Sequence, residues 1–108
     1  MTPLCPSHAL PEGACRGFTL AGQALLAARR GGRVYVYRNR CPHRGIRLEW
    51  EPDAFLAPGG GLLQCSHHAA LFVIESGECI QGPCSGDWLD SFSCREADGE
   101  ILVDLSDT

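Results

Sequence analysis

The clearest alternation in the chain is "RVYVYR" (33–38), where Val34 and Val36 are interleaved with Tyr35 and Tyr37. A period of two in β-branched and aromatic residues is the signature of a strand. The run follows "AGQALLAARR" (21–30) across Gly31-Gly32, so the pair predicts a hairpin, although Ala-rich 21–28 also suits a helix. Two further hairpins are expected. "AFLA" (54–57) and "LLQC" (62–65) flank the Pro/Gly turn at 58–61, and "WLDSFSCRE" (88–96) and "EILVDL" (100–105) flank Asp98-Gly99. "LFVIE" (71–75) reads as another strand, and 82–86 as a loop. Short strands with frequent turns predict an all-β fold, a small antiparallel barrel or sandwich. At 108 residues, 1–108 is expected to form a single domain.

Composition narrows the function more than the fold. The chain is 44% hydrophobic and 20% charged, enough for a modest core. A net charge of −4 argues against nucleic acid as a partner. All nine basic residues are arginine, to which no function attaches. No apolar run approaches the roughly 20 residues of a membrane span. The start "MTPLCPSHALPEG" has neither a charged n-region nor an apolar h-region, so a soluble, cytoplasmic chain with no membrane contact is expected. Seven cysteines are an odd count, and a reducing compartment disfavours disulfides. Cys5, Cys15, Cys79, Cys84 and Cys94 read as reduced thiols packed as small hydrophobes. His8 is expected in solvent, and Trp50 and Trp88 in or just beneath the core.

The candidate chemistry lies in two short stretches, "RNRCPHRGIR" (38–47) and "LLQCSHHAALF" (62–72). They give Cys41-x-His43 and Cys65-x-x-His68, with His67 beside the last. Structural zinc sites commonly pair cysteine with cysteine and histidine with histidine. Here each stretch supplies one of each. That is what a two-iron cluster needs if one iron takes two thiolates and the other two imidazoles. A zinc-stabilised binding module is the alternative. No acid–base pair, nucleophile arrangement or Gly-rich phosphate loop stands out, so the chain is not expected to be an enzyme on its own.

Several segments together resemble a Rieske-type 2Fe–2S ferredoxin, over about 10–105. These are "LPEG" (10–13), "NRCPHRGIRL" (39–48), "CSHHAALF" (65–72) and "SGECIQGP" (76–83). The resemblance implies a Rieske fold with a cluster-binding subdomain at about 40–84, its two loops meeting at one tip. It implies one 2Fe–2S cluster held by Cys41, His43, Cys65 and His68, with His67 at a variable, solvent-facing position. It implies a monomeric one-electron carrier whose partners are redox proteins, the ferredoxin that passes electrons from a flavin reductase to a ring-hydroxylating dioxygenase. A small subunit of an assimilatory nitrite reductase is the rival reading. The chain departs from the pattern in a longer spacer after His43, in Ala69 for the usual glycine, in Val73 for a common acid, and in Cys84-Ser85 for a second proline. High-potential members of the family carry a disulfide at the positions of Ile46 and His67, and serine and tyrosine hydroxyls at those of Ala70 and Phe72. Their absence here implies a low potential. Arg38, Arg40, Arg44 and Arg47 predict either a basic, partner-facing tip or internal ion pairs with Glu49, Glu51 or Asp53.

Overall fold

The computed structural model describes residues 1–40, 61–64, 70–82 and 85–105. The strands are β1 (Thr2–Pro6), β2 (Cys15–Leu20), β3 (Gln23–Arg30), β4 (Arg33–Arg38), β5 (Leu62–Gln64), β6 (Leu71–Val73), β7 (Cys79–Gln81), β8 (Ser91–Phe92), β9 (Cys94–Ala97) and β10 (Glu100–Val103). They form three antiparallel sheets, ordered β2-β3-β4-β8, β1-β10-β9 and β5-β6-β7. The all-β expectation holds. Among the described residues no closed barrel forms, because the strands divide among separate sheets.

The four-stranded sheet is the middle layer, and this explains the ambiguity of "ALLAA". Along β3, Leu26 and Ala28 enter one core with Leu63, Phe72 and Ile74 of the β5–β7 side. Leu25 and Ala27 enter the other with Ile101 and Val103 of β10. A strand buried on both faces shows a continuous apolar run rather than alternation, so the helical option for 21–28 is replaced by strand. β4 does the same. Val36 and Tyr37 are both buried, at 2% exposure each, and lie in different cores. The Tyr37 hydroxyl donates to the Ile74 carbonyl at 2.6 Å, which stitches the middle sheet to the β5–β7 sheet. Burial pushes this phenol well above its ordinary pKa, so it stays a donor.

Turn chemistry fixes the hairpins. Gly31 and Gly32, at φ 62 and 78, join β3 to β4 in register Arg30↔Arg33. Two successive positive φ values make the mirror-image turn that matches strand twist. The Glu12 carboxylate accepts from both glycine amides at 2.8 Å, so "LPEG" serves as a clamp on this turn. Those two bonds, the one from Gly32 foremost, hold the Glu12 pKa down. Asp98-Gly99 joins β9 to β10 as expected. The run 88–96 is not one strand, however. The chain leaves the middle sheet after Phe92 and enters the outer one at Cys94. The strand expected at 71–75 ends at Val73. Trp88 is 56% exposed rather than packed in the core. His8 is exposed as expected. The strand expected at 54–57 and Trp50 lie outside the described residues.

Arg29 ties the middle sheet to β9 through a two-pronged contact with Glu96, at 2.8 and 2.7 Å. The guanidinium, assisted by the Ser7 hydroxyl, holds the Glu96 carboxyl down to about 2 from an ordinary 4.5. The folded state therefore favours the ionised form. The stabilisation is complete above about pH 4.5 and is lost as pH falls towards about 2. Glu96→Gln is expected to be less stable than the parent near neutrality, and the gap should close across that window. Urea midpoints taken along a pH series test this, and a gap independent of pH refutes it.

Candidate metal centre

The cysteines divide by surroundings. Cys5, Cys15, Cys79 and Cys94 form no disulfide, and Cys15 and Cys79 are buried. Burial is the largest influence on the thiols of Cys5 and Cys94 and pushes both up. A raised pKa keeps a thiol protonated, the wrong state for a metal ligand. These four fit the expectation of small packed hydrophobes. Among the described residues, no group of three or more His, Cys, Asp or Glu is placed to hold a metal.

Cys41, His43, Cys65 and His68 lie outside the described residues, as do His67, Ile46 and Cys84. What the structure gives is the frame on either side of them. Arg40, next in sequence to Cys41, follows a firmly held segment. The Asn39 amide donates to the Ala24 carbonyl at 2.9 Å and the Arg38 amide to Asp90 at 2.8 Å, and Asn39 is buried at 5%. The register Leu63↔Phe72 and Gln64↔Leu71 makes the residues flanking the second stretch cross-strand neighbours. β6 and β7 then pair with a bulge between Leu71 and Phe72.

Gly82 follows β7 at φ +108, and a Cβ built on it would meet the Ala70 Cα at 2.9 Å. Only glycine allows so close an approach. It brings the start of the 82–86 loop against Ala70, two residues after His68 in sequence. Gly82→Ala should push the two apart and cost about 1–3 kcal/mol. The check is a lower urea midpoint, and an unchanged midpoint would refute it.

Of the arginines expected at the tip, Arg38 pairs with Asp90 at 3.5 Å and lies 5.5 Å from the Phe92 ring centroid. Among the described residues, then, Arg38 pairs with Asp90; Glu49, Glu51 and Asp53 lie outside the described residues, as do Arg44 and Arg47. Arg40 is exposed.

Three antiparallel sheets frame the two Cys/His stretches, of which one follows β4 in sequence and the other lies between β5 and β6. The model of the Rieske [2Fe-2S] domain matches residues 1–93, and the chain belongs to that family. It is 31% identical over 111 residues to the oxidoreductase NdmD of Pseudomonas putida, an alignment covering 95% of this chain and 18% of that protein. It is 25% identical to the ferredoxin component of the naphthalene 1,2-dioxygenase system of Pseudomonas aeruginosa, covering 92% of this chain and 89% of the relative. The ferredoxin of carbazole 1,9a-dioxygenase from Nocardioides aromaticivorans IC177 superposes with a TM-score of 0.75 at 23% identity, over 95% of this chain and 97% of that one. The chain spans less than a third of the length of the first curated relatives it matches.

The family carries one Rieske-type 2Fe–2S cluster, which replaces the zinc-module expectation. The donor set fits such a cluster: two thiolates and two imidazoles, one of each from each stretch. When bound, the cluster supplies reversible one-electron chemistry. These relatives lend no support to a nitrite reductase subunit. Among the described residues, no helix is long and apolar enough to cross a membrane.

Proposed function

We propose that this chain is a cytoplasmic one-electron carrier, the ferredoxin that takes electrons from a flavin reductase and delivers them to a ring-hydroxylating dioxygenase. Cys41 and Cys65 ligate one iron and His43 and His68 the other, within a cluster-binding subdomain at about 40–84 of a single, monomeric domain. The observation that carries the reading is near end-to-end alignment with a relative that is itself a ferredoxin component. The frame is consistent with it, since the cross-strand pair Gln64↔Leu71 brackets Cys65, His67 and His68 in sequence. A second reading follows from the long relatives: the same domain as the electron-entry module of a larger oxygenase or oxidoreductase chain.

Electron paramagnetic resonance of the anaerobically purified, dithionite-reduced protein tests the cluster. A Rieske-type signal of one spin per chain is expected. Steady-state turnover with a ring-hydroxylating oxygenase and its flavin reductase then tests the role. Turnover that requires added protein supports a separate carrier, and turnover without it sinks that role.

A further inference from the structure

Among the described residues, the large hydrophobics left exposed are Met1, Ile80 and Trp88. The last two lie on adjoining segments. Glu78 and Trp88 are directly opposed in an antiparallel bridge, and cross-strand partners share a face. The next residue along each strand, Cys79 and Leu89, is buried at 1% and 4%. Glu78, Ile80 and Trp88 therefore point outward. Ile80 is also the extra residue of the β6–β7 bulge, since Leu71 opposes Gln81 while Phe72 opposes Cys79. Bulges re-aim side chains and cluster beside functional sites. This one leaves an isoleucine 49% exposed, two residues before the glycine that packs on Ala70.

Among the described residues, two carboxylates border the patch. Glu78 stands opposite Trp88, and Asp87 precedes it and is exposed. Asp90 is engaged by Arg38, which leaves Glu78 and Asp87 to meet whatever covers the tryptophan.

We propose that Ile80 and Trp88, bordered by the carboxylates of Glu78 and Asp87, seat a redox partner protein whose surface offers an apolar depression rimmed by arginine or lysine. The proposal rests on the electron-carrier reading above and adds where the carrier is gripped. Tryptophan in such a position anchors an interface. The carboxylates set orientation and speed encounter.

The probe is mitochondrial cytochrome c, a basic one-electron acceptor with an apolar haem edge ringed by lysines. One electron leaves the reduced cluster, and one ferric haem becomes ferrous. Stopped-flow mixing of the dithionite-reduced, desalted holoprotein gives the second-order rate constant. Trp88→Ala should lower it about tenfold and Trp88→Phe much less. Asp87→Lys should lower it several-fold more than Glu100→Lys, which makes the same charge change on the outer sheet. Ferricyanide, too small to need a seat, should oxidise Trp88→Ala and Trp88→Phe at the parent's rate, since neither changes the charge it meets.

A Trp88→Ala rate equal to the parent's overturns the proposal. So does equal slowing by Asp87→Lys and Glu100→Lys, which reports net charge alone. Sedimentation equilibrium showing a dimer that Trp88→Ala abolishes also overturns it, by assigning the patch to a second copy. The carrier reading fails by a different result, a reduced protein with no Rieske signal and no transfer even to ferricyanide.

Discussion

Replacing any one of Cys41, His43, Cys65 or His68, as Cys→Ser or His→Ala, is expected to give colourless protein without a reduced-state resonance signal, whereas His67→Ala keeps both. On the proposed ligation, each replacement would open a coordination position on one iron, and an under-ligated cluster would be lost. The effect should reach the fold, though not evenly. β5, β6 and β7 have three residues each, close to the lower limit for a strand. Their sheet relies on Leu63, Phe72 and Ile74 packing on the middle layer and, on this assignment, on the cluster. Amide exchange at Leu63 and Phe72 should accelerate in the ligand variants, while Leu26 and Ile101 change little. Bleaching by His67→Ala with retention in His68→Ala would falsify the assignment.

The midpoint potential is expected in the lowest third of the Rieske span, which runs from roughly −150 to +300 mV. By the family resemblance, high-potential members place a serine and a tyrosine hydroxyl where this chain has Ala70 and Phe72. A hydrogen bond to a cluster sulfur favours the more negative, reduced state, so a site without these donors sits lower. Both residues are fully buried. That makes Ala70→Ser and Phe72→Tyr informative whichever way they fall. A hydroxyl that reaches sulfur raises the midpoint. One that does not is stranded in a dry core and costs about 1–3 kcal/mol of stability. Protein-film voltammetry with urea denaturation separates the two. A parent midpoint above about +100 mV would remove both the hydrogen-bond argument and the dioxygenase branch of the function.

How much of this was legible in the sequence depended on where each cause lies along the chain. The Gly31-Gly32 and Asp98-Gly99 hairpins were readable because the turn residues themselves require the backbone they adopt. The β2–β3 hairpin was not, because Gly22 supplies only half of its turn, and Ala21 adopts φ 51, a region its side chain disfavours. β1 was missed because Pro3 and Pro6 disguise it. It tolerates them as an edge strand with a register shift between Pro3 and Cys5. The break between β8 and β9 and the exposure of Trp88 depend on which sheet each segment joins, a long-range matter that no local period encodes. The candidate ligands were the most legible feature of all, since residue type and spacing are local properties. What surrounds Ala70 and Phe72 was not, because it depends on packing between sheets.

Thr2 pairs with Val103 across β1 and β10, so the start of the first strand and the finish of the last lie at the same end of the outer sheet. A unit entered and left at one place can be spliced into a surface loop of another protein while perturbing neither partner's core. That makes the domain portable. The geometry suits both a free-standing shuttle and a segment within a much longer polypeptide, and the same end of that sheet is the seam in either case.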